Sequence, residues 1–301
     1  EKNAQIAVGV SGGVDSIVLI YLLSMWSKLY NFKVIALIID HKIRPESTIE
    51  AKVVSSYLKN LNVNNKILTW RKHTLLKGIQ EKARNARLRI LHNYCNNNNI
   101  IHLILGHHKD DNLETYILRK VAGSNFEGLS SIKNLIILNN IQIIRPLLSF
   151  NKNEIINFAN KSKLEWIEDP SNYNMDFSRS KIRSIFSKNK QIKKFTLKEY
   201  NKNASLYKEY ITMINHNLAL VLTRVTPKKV EIDKNLFLSL SQVVALKILA
   251  IILKNLKKND YVSKYRKLRI IYSKIIKKSS KFRSQNAFFL INNDKITIWV
   301  N

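Results

Sequence analysis

Six residues constrain this chain more than any others: Ser11-Gly12-Gly13-Val14-Asp15-Ser16. They follow the apolar run Ile6-Ala7-Val8-Gly9-Val10 and lead straight into Ile17-Val18-Leu19. A β-branched run, a two-glycine turn and an apolar-periodic segment to about Tyr30 spell strand, tight loop and helix N-terminus. That arrangement cradles phosphate groups, because unpaired first-turn N–H groups and the positive end of the helix dipole face the ligand. Gly12 and Gly13 let the backbone turn sharply and approach a ligand. Ser11 and Ser16 add hydroxyls. Asp15 is unusual in a purely anion-binding loop, and a Mg²⁺ ion carried by the phosphates accounts for it. The plain alternative is a glycine turn joining strand to helix. The loop is neither Walker A, lacking Gly-Lys-Ser/Thr, nor the dinucleotide Gly-x-Gly-x-x-Gly.

The following residues repeat the alternation of strand and helix. Lys33 to Ile39 reads as a buried parallel strand that ends at Asp40-His41, where ligands sit in open α/β sheets. Pro45 and Glu46 open a helix to about Asn60. Further strands are expected at Lys66–Trp70, Ile101–Leu105 and Ile141–Ile144, with helices over 78–96, 110–122 and 153–162. Such alternation implies a parallel sheet with right-handed crossovers. From about Phe177 strand patterns give way to basic helical spacing, so a linker helix is expected near 178–194. A second, mostly helical domain follows, closed by two strands around Asn292-Asn293-Asp294.

Gly106-His107-His108-Lys109-Asp110-Asp111-Asn112-Leu113-Glu114 forms a second constellation. Asp111 and Glu114 are three apart and share a helix face beside the same sheet edge as the glycine loop. Two carboxylates facing a nucleotide need a cation, either Mg²⁺ or an amine substrate. Alternatively they are ordinary N-terminal acids favoured by the dipole, with Asp110 as N-cap. The His pair fits no metal-ligand spacing, whereas a His such as His107 can hydrogen-bond phosphate. Arg84 and Arg87 place two guanidiniums on one helix face, as a phosphate clamp or as a solvated surface.

Charge separates the partner classes. The 301 residues carry 51 Lys and Arg against 21 Asp and Glu, a net of +30, which points to a polyanionic partner; the plainer alternative is compositional drift toward Ile, Asn and Lys, which alone would not thin out the acids so much. Residues 256–283 hold 11 Lys or Arg and one acid, Asp260, with Tyr261, Tyr265 and Tyr272 interleaved. A helix carrying Lys264, Arg266, Lys267 and Arg269 could lie along phosphates, while Leu268 and Ile271 pack inward. The single cysteine, Cys95, excludes a disulfide framework and a Cys-rich metal site. No apolar run approaches a membrane span, and the start lacks a signal-peptide pattern, so a soluble intracellular protein is expected.

The Ser11–Ser16 loop resembles the pyrophosphate loop of enzymes that split ATP between its α and β phosphates. Taken with 81–89, Gly106–Thr115, Arg145-Pro146-Leu147-Leu148, Glu168-Asp169-Pro170-Ser171-Asn172 and Arg179-Ser180-Lys181-Ile182-Arg183, it resembles the tRNA(Ile)-lysidine synthetase family over about residues 4–186. The resemblance implies an α/β fold: a doubly wound, five-stranded, mainly parallel sheet of the adenine nucleotide α-hydrolase kind. A catalytic domain would span 1–186, and a mostly helical, basic tRNA-binding domain ending in a short hairpin would span 187–301. It implies ATP and Mg²⁺, a CAU-anticodon tRNA(Ile) and free L-lysine as partners, a homodimer as one form, and a bacterial cytoplasm or an organelle of bacterial descent. The C2 oxygen of the wobble cytidine would be adenylated, and the lysine ε-amine would then displace AMP.

Carried over by motif, Ser11, Gly12, Gly13, Val14, Asp15, Ser16 and His107 bind ATP, with Asp15 near Mg²⁺. Asp111 and Glu114 hold the lysine amine, Arg84 or Arg87 meets the adenylate, and Arg179, Lys181, Arg183, Lys264, Arg266, Lys267 and Arg269 face tRNA. Ser180 stands where the family commonly has Asn. The region after 186 is short beside members that carry a further acceptor-stem domain, so that discrimination is expected to be reduced or handled differently. The rival readings are a related tRNA thiolase, disfavoured by the lone Cys95, and a catalytically inactive RNA-binding relative, disfavoured by the intact loop and acids.

Overall fold

The computed structural model describes residues 4–42, 46–70, 79–138, 140–168, 178–257, 265–277 and 280–301, with backbone alone over 79–84. Pro45, residues 169–172 of the Glu168–Asn172 block, Lys264 and the Arg84 side chain therefore lie outside what is described. The chain divides into two compact units, Glu1–Asn203 and Ala204–Asn301.

The first unit runs β1 (Gln5–Val10), α1 (Val14–Tyr30), β2 (Lys33–Asp40), α2 (Glu46–Asn60), β3 (Asn64–Thr69), α3 (Ile79–Asn97), β4 (His102–Leu105) and α4 (Lys109–Val121). It continues through α5 (Phe126–Leu129), β5 (Leu135–Leu138), β6 (Ile141–Ile144), a 3-10 turn (Pro146–Ser149), α6 (Lys152–Lys161), α7 (Ser178–Lys188) and the first part of α8 (Lys190–Val221). The sheet order is β3-β2-β1-β4-β6-β5. All neighbours are parallel except β5, which pairs antiparallel with β6. The parallel pairing is the expected one. The addition is β5, a sixth strand at the edge: Leu135-Ile136-Ile137-Leu138 alternates exposed and half-buried, as a strand covered on one face does.

Strand residues alternate between two cores, which is what doubly wound means in side-chain terms. Val8, Val10 and Ile38 pack with Ile17 and Ile20 of α1, Val54 of α2 and Ile155 of α6. Ala7, Leu37, Leu103 and Ile143 pack with Leu91 and Cys95 of α3 on the other face. Cys95 is fully buried there, and burial pushes its thiol up to about 11.

The expected linker helix over 178–194 is two helices, α7 and α8, separated at Asn189. The start of α8 belongs to the first unit: Tyr200 meets the Tyr116 ring edge-on at 6.0 Å, and Asn203 Nδ2 donates to the Tyr116 hydroxyl at 3.0 Å.

The second unit holds the end of α8, β7 (Leu222–Val225), β8 (Lys229–Asp233), α9 (Lys234–Ser239), α10 (Gln242–Lys257), α11 (Tyr265–Ile276), β9 (Lys281–Ser284), β10 (Ala287–Ile291) and β11 (Lys295–Trp299). The closing hairpin, β10 with β11, is the centre of a five-stranded antiparallel sheet ordered β7-β8-β11-β10-β9. Its inner face, with Val230, Ile232, Phe289, Ile296 and Ile298, packs on Leu249 and Leu253 of α10 and on Ile271 and Ile275 of α11. Among the described residues no helix is long and apolar enough to cross a membrane.

Candidate active site

β1 and β4 lie side by side at the point where strand order reverses, and in open α/β sheets ligands bind outside the carboxyl ends of the strands at such a point. Here the ends carry the Ser11–Ser16 loop and the Gly106–Asp111 segment. The two meet closely: a Cβ on Gly106 would stand 3.2 Å from the Asp15 carbonyl carbon and oxygen and 3.3 Å from the Ser16 nitrogen. A glycine lets the β4 end rest on the first turn of α1.

Gly12 has φ +87° and its carbonyl accepts from Ile167 N–H at 2.9 Å. Gly13 is the N-cap of α1 and no side chain caps it; Ser16 N–H turns back to Gly13 O at 3.0 Å, and a helix start without a side-chain cap suits an anion. Val14 is buried and anchors the helix start. The Ser16 hydroxyl is turned back into the loop. It donates to Gly13 O at 2.9 Å and accepts from Ser11 N–H at 3.2 Å, with Ser11 Oγ at 3.4 Å. It shapes the loop, while Ser11 is exposed.

Asp15 points toward α4 and α6. Lys152 Nζ donates to its two oxygens at 2.8 and 2.7 Å. Lys152 is placed by the reciprocal cap of α6, in which Asn151 Oδ1 accepts from Glu154 N–H and Glu154 accepts from Asn151 N–H. His108 Nε2 lies 3.8 Å from Asp15 and 3.6 Å from Asp111. The ring is the N-cap of α4: its Nδ1 accepts from Asp110 N–H at 3.2 Å, while Asp111 accepts from His108 N–H at 3.0 Å. The ring Nε2 thus lies between the two carboxylates.

The acids of α4 are each partnered. Asp110 accepts from Lys152 N–H at 2.8 Å and pairs with the Lys193 ammonium. Burial raises its carboxyl, but the Lys193 hydrogen bond and charge, the Lys152 amide and His108 outweigh that and hold it below the ordinary carboxylate value. Burial likewise raises Asp111, and the imidazoles of His108 and His107, the His108 amide and Arg179 pull it net below. Glu114 is 1% exposed. Arg183 Nε meets it at 2.6 Å and Arg183 Nη2 at 3.3 Å, while Arg179 Nη1 meets it at 3.1 Å. Burial lowers the Arg183 guanidinium and Glu114 with Asp111 raises it further, to above its ordinary value.

The structure thus brings together Asp15, Asp111 and the glycine loop, as the sequence predicts, but turns Glu114 inward. The cation its spacing called for is supplied by the chain's own Arg179 and Arg183. Those two arginines lie on Glu114 instead of standing free for tRNA, whereas Lys181 between them is exposed. His107 is half-buried beside the loop. Arg87 is exposed and bonds His41 at the end of β2, with Nη2 to Nε2 at 2.9 Å. Arg266, Lys267 and Arg269 are exposed on α11, opposite Leu268 and Ile271. Sequence reasoning missed Lys152, Lys193 and the role of His108. The Asn151-x-x-Glu154 capping box marked Lys152 as a first-turn residue; for Lys193 no signal existed.

Among the described residues no cluster of three or more His, Cys, Asp or Glu is set to hold a metal by itself. Mg²⁺ needs no such cage when phosphates supply most of its oxygens. Asp15, which already accommodates a cation on both oxygens, fits that donor set.

Fold and loop together define an α/β phosphate-loop nucleotide protein. A model of the PP-loop domain matches residues 1–189, and the chain belongs to that ATP-binding family. It is 37% identical over 292 residues to a tRNA(Ile)-lysidine synthase of Wolbachia pipientis, covering 92% of this chain and 66% of that protein. It is 34% identical over 285 residues to the protein of that name from the Wolbachia of Brugia malayi, again covering 92% of this chain and 66% of the relative. The chain therefore spans a little under two thirds of the length of these relatives. The solved structure of a U34-tRNA thiolase from Methanococcus maripaludis with its [4Fe-4S] cluster superposes with a TM-score of 0.58 at 22% identity, over 70% of this chain and 73% of that one. That likeness concerns the fold alone.

Proposed function

We propose that the chain ligates free lysine to C2 of the wobble cytidine in a CAU-anticodon tRNA(Ile), with ATP giving AMP and pyrophosphate. The observation that carries this reading is the cluster at the β1–β4 switch point. A phosphate loop stands against Asp15, His108 and Asp111, an anionic lining that suits a cationic second substrate beside a nucleotide.

In this mechanism the Gly12–Ser16 backbone and Ser11 receive the ATP phosphates, with His107 beside them. Asp15 would hold Mg²⁺, which when bound would screen the phosphate charge. The cytidine C2 oxygen attacks the α-phosphorus and pyrophosphate leaves; the lysine ε-ammonium then loses a proton to solvent, the free amine adds at C2, and AMP departs with the electron pair of the C2–O bond. Asp111, held ionised, positions the incoming ammonium. Glu114 acts behind it, fixing Arg179 and Arg183 of α7 against α4, with Arg179 Nη2 also donating to the Thr115 hydroxyl at 3.0 Å. Lys152, which pairs with Asp15 at the loop edge, would stand within reach of the ATP phosphates as a cationic partner.

The test is transfer of radiolabelled lysine to unmodified tRNA with ATP. Label in tRNA(Ile) carrying CAU, with pyrophosphate release that requires both tRNA and lysine, is the expected result. Pyrophosphate release without tRNA, or no label in tRNA, overturns it.

A further inference from the structure

We propose that the outer face of the antiparallel sheet in the second unit is a stacking platform for unpaired RNA bases, built on Trp299 and Phe288 and flanked by Arg283 and Lys229. It rests on the proposed function only in taking RNA as the polyanion.

Strand register makes the platform. Side chains alternate across a sheet, and the inner set is buried against the helices. The outer set includes one row that runs straight across four strands. Arg283 of β9 is opposite Phe288 of β10, Phe288 is opposite Trp299 of β11, and Trp299 is opposite Lys229 of β8. Phe288 and Trp299 stack at 5.4 Å with 17° between their planes, and the Arg283 guanidinium sits over Phe288 at 5.1 Å. Cation, ring and ring thus form one stack, with Trp299 its last ring and Lys229 opposite it on the next strand. Both rings are only half-buried, on the side of the sheet opposite its core.

The charge around this row fits a phosphate chain. Residues 204–301 hold 19 Lys and Arg against five Asp and Glu. Strand register puts Lys281, opposite Leu290, and Lys295, opposite Asp233, on the same outer face, with Arg224 opposite Glu231. The two acids there are engaged within the sheet: Glu231 shares the Lys229 ammonium at 2.6 Å, which leaves Arg283 as the cation on the stack itself, and Asp233 caps α9 through Leu236 N–H. The Lys229 hydrogen bond, with the charges of Lys229, Lys295 and Arg224, holds the Glu231 carboxyl low. Planar rings in a cationic field are what unstacked bases and their phosphates use, and every base has a π-face to offer. An acidic protein surface would satisfy the cations and leave the stack without a purpose.

Fluorescence anisotropy of the full chain with labelled oligo(U), and with a blunt RNA duplex of equal length at the same salt, tests this. Trp299→Ala is expected to weaken oligo(U) binding roughly tenfold, the scale of one lost base–aromatic stack. Trp299→Phe should keep it, and duplex binding should stay unchanged in both. Trp299→Ala binding oligo(U) like the wild type, or losing duplex binding equally, overturns the platform. Should Trp299→Ala lose its cooperative melt, the outer-face pair Phe288→Leu with Arg283→Gln is read by the same criteria. Lysine transfer is scored separately: its absence would leave a Trp299-dependent oligo(U) signal standing, and its presence would not rescue a platform indifferent to Trp299.

Discussion

Lys152 donates from Nζ to both carboxylate oxygens of Asp15, at 2.8 and 2.7 Å, although the two are 137 positions apart in the chain. The contact joins the N-terminus of α6 to that of α1, so the ammonium stands at the edge of the phosphate loop. A cation there has two partners to choose from, the carboxylate and a phosphate.

The Lys152→Met variant separates these partners. A lost charge-assisted contact is worth about 1.5–3 kcal/mol, or roughly ten- to hundredfold in ATP affinity. ATP binding by isothermal calorimetry should weaken by that factor while tRNA retention on filters persists. Asp15→Asn should abolish pyrophosphate release and also leave tRNA retention in place. Unaltered ATP affinity in Lys152→Met would reduce Lys152 to a tether for Asp15.

Glu114→Gln is expected to act on stability before it acts on lysine. Removing one partner of a fully buried ion pair costs about 3–5 kcal/mol. Glu114 is buried, but the Arg179 and Arg183 side chains are 29% and 42% exposed, so solvent screening brings the expected loss to about 1–2 kcal/mol. A melt lowered by a few degrees, with a coupling to Arg183→Gln in a double-mutant cycle, is the expected outcome. An unchanged melt with a raised KM for lysine alone would return Glu114 to direct contact with the amine.

Acid should loosen this same corner. Asp110 and Asp111 are both held below their ordinary values in the folded protein, against about 3.9 in an unfolded chain. In that window the unfolded state binds more protons, so stability rises with pH. The contribution is complete above the unfolded value and is lost as pH falls through the folded ones. Urea midpoints should drop steeply below about pH 4, and Asp110→Asn should flatten part of that slope. A midpoint flat through this range would mean that the carboxylates are not paired as described.

Much of this was legible because it is local. The β-branched run, the glycines and the periodic helix specify β1, the loop and α1 within a few residues, and Asp111 follows β4 in the same way. What was not legible is long-range or half-patterned. Nothing near Lys193 marks Asp110 as its partner. Glu114 and Arg183 each read as functional when taken singly, yet they satisfy each other. In the second unit Lys229-Val230-Glu231-Ile232-Asp233 alternates as a strand should, but its charged outer residues blend into a basic helical background. The Arg283–Phe288–Trp299–Lys229 row exists only once strand register is known.

The two glycines of the loop should fail in different ways. Gly12 has φ +87°, and a Cβ there would come within 2.6 Å of Val54 Cγ2. Alanine in that backbone region costs about 1–2 kcal/mol, and the overlap with α2 adds to it, so Gly12→Ala should lower the thermal midpoint of the free protein. Gly13 is extended, with φ −71° and ψ 157°. Its Cβ would meet only Ser11 Oγ at 3.7 Å. Gly13→Ala should therefore melt like the wild type without ligand, yet lose much of the upward shift that ATP gives, because a ligand stabilises in proportion to the logarithm of its concentration over Kd and the new methyl stands at the mouth of the anion site. Differential scanning fluorimetry with and without ATP reads both effects. A full ATP shift in Gly13→Ala would place the phosphates away from this loop.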